Sequence, residues 1–326
     1  MPAFHAGEIA LQARLGMDER LAEVGTRVIR DRMPGQHQQF FAQLPWLLVG
    51  SLDAQGHPRA GVLSGPSGFM HAPDDRTLRV DALPAVHDPL ATALRPGASL
   101  GLLGIELPTR RRNRLNGVVS AVDARGFSVA VQQSFGNCPR YIQARETAHV
   151  QAQVGAASEW STEVLPWLDA EARQLVARAD TFFIASAHPA AAGMAGTHEG
   201  VDISHRGGPP GFVRWLNDAM LAVPDYDGNR YFNTLGNLAL NPAAALLFID
   251  FERGDILHLQ VHASVEWGPV PAGDAPHGPP AERWLRLLVL RGERRRAALP
   301  LRWGEVAWSR EIVDATRDEG AVPEAS

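Results

Sequence analysis

The sequence predicts a mainly β protein with flanking helices, built as two tandem antiparallel barrels that pack together as a pseudo-dimer within one chain. Short apolar runs of strand length are joined by tight turns such as Asp53–Gly56, and this pattern favours antiparallel strands over βαβ units. A second series of such runs, at residues 179–267, resembles the first series piece by piece and in the same order. Self-similarity of this kind is typical of a duplicated unit.

Three pairs of segments carry the repeat. They are Pro58–Phe69 with Glu199–Phe212, Leu94–Glu106 with Leu240–Glu252, and Arg114–Val122 with Leu259–Trp267. The offset between partners is nearly constant, so we expect two domains of similar architecture. Residues 1–155 form the first, with a helical lead-in, and residues 156–326 form the second.

Composition narrows the function classes. The chain has 326 residues, of which 45% are hydrophobic and 21% charged, as in soluble globular proteins. No apolar run approaches the ~18 residues needed to span a bilayer. The net charge of −5 argues against a nucleic-acid surface. Cys138 is the one cysteine, which excludes an intramolecular disulfide and favours the cytoplasm.

All 31 basic residues are arginine, and the chain contains no lysine. Lysine Schiff-base chemistry is therefore excluded, together with pyridoxal phosphate held as an internal aldimine. A phosphate bound by this protein must be held by arginine forks, hydroxyl groups and main-chain N–H groups.

The segment GVDISHRGGPPGF offers such groups within a few residues. Ser204 supplies a hydroxyl, Arg206 a guanidinium, and Gly207 a main chain that another group can approach closely. The corresponding turn of the first half, Ser64–Gly68, has no basic residue. We therefore expect one anion-binding turn per chain, in the second half.

Three segments resemble the FMN-binding split-barrel superfamily, the pyridoxamine 5′-phosphate oxidase-like proteins: FFIASA with GVDISHRGGPPGF, YFNTLGNLALNPAAALLF and RRRNRLNGVVSAV. The likeness covers roughly residues 44–267. It implies two tandem split barrels of the FMN-binding type, with FMN held at their interface. The site residues implied by the resemblance are Ser204, His205 and Arg206 at the phosphate and ribityl chain, Asn233, Thr234 and Asn237 along the ribityl and pyrimidine edge, and Arg111, Arg112 and Arg114 from the first half. Gly207 joins them because its main chain can be approached closely.

The resemblance stops short of a substrate. True pyridoxamine phosphate oxidases carry an Arg-X-His element near the C-terminus, whereas this chain has RGERRRAALPLRW and lacks the lysines of that enzyme. The expected function is an FMN-dependent oxidoreductase acting on a small molecule. Its substrate, electron donor and catalytic residues are unassigned.

Two alternatives stay open at this point. The same scaffold hosts haem-binding and haem-degrading proteins, in which His188, His198 or His262 would be the axial ligand. The chain would otherwise be a non-enzymatic flavin store or a partner subunit of a reductase. His258 and His262 lack a third ligand at matching spacing, so no metal site is predicted. The sequence also leaves open a homodimer of two chains.

Overall fold

The computed structural model describes residues 3–85, 88–149, 162–193, 196–268 and 278–318. Over these ranges the protein is mainly β, and every described strand pairing is antiparallel, as predicted. The predicted domain boundary between residues 155 and 156 lies outside the described residues.

The first half begins with three helices, α1 (Ala6–Arg14), α2 (Asp18–Val28) and α3 (Gly35–Gln43). A seven-stranded sheet in the order β2-β1-β5-β6-β7-β4-β3 follows. Its strands are β1 (Trp46–Leu52), β2 (Pro58–Ser64), β3 (Met70–Asp74), β4 (Thr77–Val80), β5 (Ser99–Glu106), β6 (Arg111–Asp123) and β7 (Gly126–Gly136), with a 3-10 turn at Pro89–Thr92.

The second half holds an eight-stranded sheet in the order β11-β10-β14-β15-β16-β13-β12, with β9 also paired to β16. Its elements are β9 (Thr162–Leu165), α4 (Ala170–Arg178), β10 (Thr181–Ala187), a 3-10 turn (Pro189–Ala192), β11 (Val201–Gly207), β12 (Arg214–Trp215), β13 (Met220–Tyr226), α5 (Asn233–Leu240), β14 (Ala243–Ile249), β15 (Ile256–Trp267) and β16 (Ala281–Arg295). Strands β8 (Thr147–His149) and β17 (Leu301–Trp303) pair with each other, and α6 (Arg310–Asp318) follows.

The seven-stranded order of the first sheet recurs in the second sheet, with β10 in the place of β1 and β16 in the place of β7. The register also matches, because Ile105 faces Arg112 where Ile249 faces Ile256. This register is offset by two residues from our alignment of the Leu94–Glu106 segment, and by one residue from our alignment of Arg114–Val122, because Arg114 corresponds to His258. A shift by two keeps every side chain on its own face of a strand, so the alternation of residue types does not reveal such an error.

Neither sheet closes into a barrel within the described residues, since the two edge strands of each sheet pair with one neighbour and not with each other. Each sheet encloses its own hydrophobic core, with Phe127 in the first and Phe248 in the second. A third core joins the halves, where Trp46 of β1 meets Phe183 of β10 with ring centroids 5.9 Å apart. The two halves therefore pack against each other through a shared apolar layer.

Helix α1 crosses from the first half to pack on α5 of the second. The contact is close enough that a Cβ on Gly7 would lie 2.2 Å from the Gly236 carbonyl oxygen. The N-terminal segment is thus part of the second half's surroundings. Within the described residues, no helix is both long and apolar enough to cross a membrane.

Candidate functional site

A cleft of about 830 Å³ opens between the two halves. Six arginines line it, and Asp225 is the one carboxylate among its described lining residues. The arginines are Arg112, Arg114, Arg140, Arg206, Arg230 and Arg283. The aromatic residues are Tyr141, Phe212, Tyr226 and Phe232. Such a cationic cleft with an aromatic wall suits an anionic ligand that carries a planar ring.

Eight of the ten predicted site residues line this cleft: Ser204, His205, Arg206, Gly207, Asn233, Thr234, Arg112 and Arg114. Arg111 does not, because alternate residues of β6 face opposite sides, and its guanidinium lies over the Phe40 ring at 5.0 Å. Asn237 does not either. It is buried one helical turn below Asn233 and donates to Ser186 and Asp202.

Arg112 is a cation without a carboxylate partner among the described residues. Its Nε donates to the Cys138 carbonyl oxygen at 2.8 Å, and one Nη donates to the His205 carbonyl oxygen at 3.4 Å. Burial, with a smaller effect of Arg114, lowers the pKa of Arg112 to about 10. The residue still carries its charge at neutral pH, and that charge faces a cleft in which an anion would stabilise it.

Arg206 is held by one carboxylate that it shares. Asp225 accepts hydrogen bonds from Arg206 and, at 2.9 Å, from Nε of Arg283. The Nε of Arg206 is buried and has no partner within the described residues. Arg206 thus retains a donor, and Asp225 would keep Arg283 if Arg206 turned to a ligand.

A buried polar network forms one side of the cleft. Arg114 donates to Asp202 at 2.9 Å and also to the Ser204 hydroxyl. The Ser204 hydroxyl accepts from Thr234 at 2.9 Å, and Asp202 accepts from Asn116 at 2.7 Å. Arg114 is therefore neutralised within the protein, and we assign it to positioning Ser204 and Thr234.

His205 and Gly207 have roles other than those first expected. The His205 ring packs on Phe183 in the shared core, 5.8 Å between centroids. Burial, followed by repulsion from Arg112, holds the pKa of His205 well below its usual value. Its side chain is therefore a neutral core residue, and its carbonyl oxygen is the group that meets Arg112.

Gly207 is needed for a contact within the chain. A Cβ at Gly207 would lie 1.9 Å from the Tyr141 carbonyl oxygen. The next N–H group, that of Gly208, donates to the Asp180 carbonyl oxygen at 3.0 Å. Strand-end pairing therefore uses the Gly208 donor within the protein.

Three non-glycine residues of the cleft have left-handed backbones. Tyr141, Arg230 and Phe232 have φ of 63°, 58° and 62°. Residues other than glycine rarely adopt this backbone conformation, and such backbone strain is concentrated at functional sites. Tyr141 also packs on Tyr226 at 5.0 Å, and burial raises the pKa of Tyr141 to about 12, so its hydroxyl stays protonated.

Sequence reasoning missed Tyr141, Asp225, Arg230 and Arg283. The turn-forming run Asp227-Gly228-Asn229 was a usable signal for Arg230, because irregular segments beside strands commonly carry binding residues. Arg283 is 1% exposed, yet nothing local distinguishes it from the exposed arginines of β16.

The positions on β15 and β2 that are equivalent to the cleft positions on β6 and β11 carry different residue types. By strand register, Ile256 stands where Arg112 stands and Leu63 where Arg206 stands. His258 and Arg59 likewise replace Arg114 and Asp202. A small cavity of about 250 Å³ remains there, beside an Arg59–Glu293 ion pair at 3.4 Å. The fold therefore does not itself require arginine at positions 112 and 206.

The three histidines considered as haem ligands lie elsewhere. None of them lines the cleft. His188 begins a 3-10 turn, where its Nδ1 accepts from the Ala190 N–H at 3.1 Å. His262 is exposed on β15. In the described part of the chain, no group of three or more His, Cys, Asp or Glu is arranged to hold a metal ion.

Comparison with known proteins gives weak likenesses. No family model matches the chain, and no curated protein matches it in sequence. HupZ of Group A Streptococcus is 14% identical, covering 38% of this chain and 91% of its own, with a TM-score of 0.28. A putative pyridoxamine 5′-phosphate oxidase of Lactobacillus delbrueckii is 12% identical, with coverage of 39% and 93% and a TM-score of 0.27. A protein of the pyridoxinephosphate oxidase family from Clostridium acetobutylicum is 14% identical, with coverage of 44% and 94% and a TM-score of 0.26.

Proposed function

We propose that the cleft binds FMN non-covalently by its phosphate, and that the protein is an FMN-dependent oxidoreductase of the pyridoxamine 5′-phosphate oxidase-like type. The main support for this proposal is a pair of arginines whose hydrogen-bonding capacity is not used up within the protein. Arg112 has only main-chain carbonyl partners, and Arg206 keeps a buried donor without a partner among the described residues. Both line one cleft, and apolar residues take both places in the other half.

The residues fit FMN by type. Arg112 and Arg206 would hold the phosphate, since arginine forks match phosphate oxygens. Ser204, Thr234 and Asn233 offer hydroxyl and amide groups to the ribityl chain. The aromatic wall at Tyr141 would contact the ring system. When bound, FMN supplies two-electron transfer at its ring, and the protein supplies orientation and hydrogen bonds.

The site also supports a duplicated architecture of two tandem split barrels, residues 1–155 and 156–326, acting as a pseudo-dimer. Both sheets have one strand order. Their Gly-Pro-X-Gly-Phe turns match as well, since a Cβ on Gly65 would lie 2.6 Å from the Phe69 ring and one on Gly208 would lie 2.5 Å from the Phe212 ring. Each half would then contribute one arginine to the phosphate, as subunits do in a dimer.

A visible spectrum of the freshly purified protein tests the cofactor. We expect flavin absorption bands, or their appearance with a gain in thermal stability when FMN is added. A colourless protein that gains neither would overturn the proposal. A Soret band after haem titration would support the haem alternative. None of the three candidate haem ligands, His188, His198 and His262, lines the cleft.

Steady-state electron transfer separates an enzyme from a flavin store. The FMN-loaded protein is mixed with a reduced nicotinamide and a quinone, and oxidation of the nicotinamide is followed by absorbance. We expect turnover well above that of the same concentration of FMN in solution. Rates equal to those of dissolved FMN with all donors and acceptors tried would favour storage.

A further inference from the structure

A second cavity, of about 890 Å³, shares no residue with the cleft. It lies where the C-terminal end of α4 meets the start of β10, the turn after β14 and the end of β17. Its chemistry-bearing lining residues are Arg145, Arg178, Asp180, Thr181, Asp250, Phe251, Glu252, Trp303 and Glu305. The cavity is therefore built from both chemical types, cations and carboxylates, around two aromatic rings.

Hydrogen-bond donors of three lining residues are buried without a partner in the described part of the chain. They are Nη1 of Arg145, Oγ1 of Thr181 and Nε1 of Trp303. Arg145 is 6% exposed, its guanidinium lies 4.4 Å over the Phe251 ring, and its other Nη donates to Asp180. Native proteins seldom bury donors unpaired, because the desolvation cost is large. All three donors belong to lining residues of this cavity, so an acceptor group of a bound ligand would satisfy them.

The carboxylates of the cavity fall into two sets. Asp180 and Asp250 are each paired with an arginine, Arg145 and Arg178. Glu252 and Glu305 are exposed, and no side-chain partner is described for either. The donors are thus buried, and the unneutralised negative charge lies at the solvent-exposed part of the lining. This arrangement complements a ligand with a carboxylate at one end and an ammonium group near it.

We propose that this cavity binds a free amino acid with an apolar or aromatic side chain. Its carboxylate accepts hydrogen bonds from Arg145, Thr181 and Trp303, and its ammonium group faces Glu252 and Glu305. Its side chain packs on Phe251 and Trp303, whose rings stand perpendicular to each other at 5.0 Å. The site is independent of the flavin, so its test does not depend on the cofactor.

Isothermal calorimetry of the full chain with L-phenylalanine tests the proposal. We expect saturable binding, and much weaker binding of phenethylamine, which lacks the carboxylate, and of 3-phenylpropionate, which lacks the ammonium group. Trp303→Phe keeps the ring and removes the N–H, so it should weaken L-phenylalanine about tenfold or more. Thr181→Val, which preserves shape, should weaken it in the same direction. Glu252→Gln with Glu305→Gln should reduce the preference for L-phenylalanine over 3-phenylpropionate.

Trp215→Phe is the matched control, because the Trp215 indole N–H already donates to the Arg173 carbonyl oxygen at 3.3 Å outside this cavity. Its affinity for L-phenylalanine should equal that of the unchanged protein. The proposal is overturned if L-phenylalanine gives no binding heat, if phenethylamine or 3-phenylpropionate binds equally well, or if both Trp303→Phe and Thr181→Val bind it unchanged.

Discussion

Arg112 and Ile256 occupy the same register position in the two halves, each opposite an isoleucine of the neighbouring strand. Arg112 carries its charge at the lining of the cleft, whereas Ile256 is 1% exposed within the core that joins the halves. An equivalent position that works with isoleucine shows that the charge of Arg112 is not there to hold the sheets together. The isoleucine at position 256 thus supports the proposal that Arg112 binds a ligand.

Replacing Arg112 by the residue of the other half tests that assignment. Arg112→Ile should weaken FMN binding by about 2–4 kcal/mol, because a phosphate loses a charged, hydrogen-bonding partner. The melting temperature of the FMN-free protein should change little, since no described carboxylate loses its partner. Fluorescence titration of FMN gives the affinity, and Arg111→Gln, on the opposite face of β6, is the control. Equal affinity for the Arg112 variant and the control would remove Arg112 from the site.

Arg206 should make a comparable contribution. Arg206→Ala is expected to weaken FMN by about 2–4 kcal/mol. Asp225 retains Arg283 at 2.9 Å in this variant, so the buried carboxylate is not left unpaired. The same titration measures the effect, with thermal unfolding as the check on folding. An unchanged dissociation constant in a folded variant would contradict the phosphate role of Arg206.

Gly207→Ala tests the contact between the halves. The new Cβ would lie 1.9 Å from the Tyr141 carbonyl oxygen, so the chain must shift and stability should fall by about 1–3 kcal/mol. Gly228→Ala is the control, because Gly228 also lines the cleft but a Cβ added there would meet no described neighbouring atom within 4 Å. Chemical denaturation compares the two. If the two alanine variants are equally stable, the close approach of Tyr141 to Gly207 is not real.

The pH dependence of stability should reveal Glu8. Its carboxylate accepts from the His5 N–H at 2.8 Å and from Asn233, and burial, followed by Asp202, raises its pKa well above 4.5. A raised pKa in the folded state means that the unfolded chain releases the proton first, so this group's contribution to stability is complete at low pH and is lost as pH rises.

Glu8→Gln does not titrate at this position and should therefore gain stability over the unchanged protein as pH increases from 4.5 to 8. Thermal unfolding across that range measures the difference. The control is Glu23→Gln, at an exposed position of α2. A difference in melting temperature that is the same at every pH would show that Glu8 is not a buried, proton-holding carboxyl.

The parts of the fold that the sequence predicted correctly are those that depend on residues close together in the chain. Tight turns such as Asp53–Gly56 depend on neighbouring residues, and the antiparallel strands followed from them. The two-residue register error arose because such a shift preserves alternation. The packing of α1 on α5 was missed, since the Gly7–Gly236 contact joins residues far apart in the chain.

The site residues that local sequence revealed can likewise be separated from those that depend on long-range contacts. Ser204 and Arg206 were found because they lie two residues apart, near the end of β11. Arg111 was included with Arg112 on the resemblance, although alternate residues of β6 face opposite sides. Arg283 was missed because β16 reaches the cleft only through its pairing with β13. Asn237 was placed in the site by the resemblance, but it lies one helical turn deeper than Asn233 and donates to Ser186 and Asp202. Such long-range placement is not encoded in local sequence patterns.

The most direct measurement compares FMN with riboflavin, which has the same ring and ribityl chain without the phosphate. Both are titrated into the flavin-free protein and followed by flavin fluorescence. Because Arg112 and Arg206 would act on the phosphate, we expect riboflavin to bind at least about a hundredfold more weakly than FMN. Equal affinities for the two flavins, or no binding of FMN, would contradict a phosphate-binding role for this cleft.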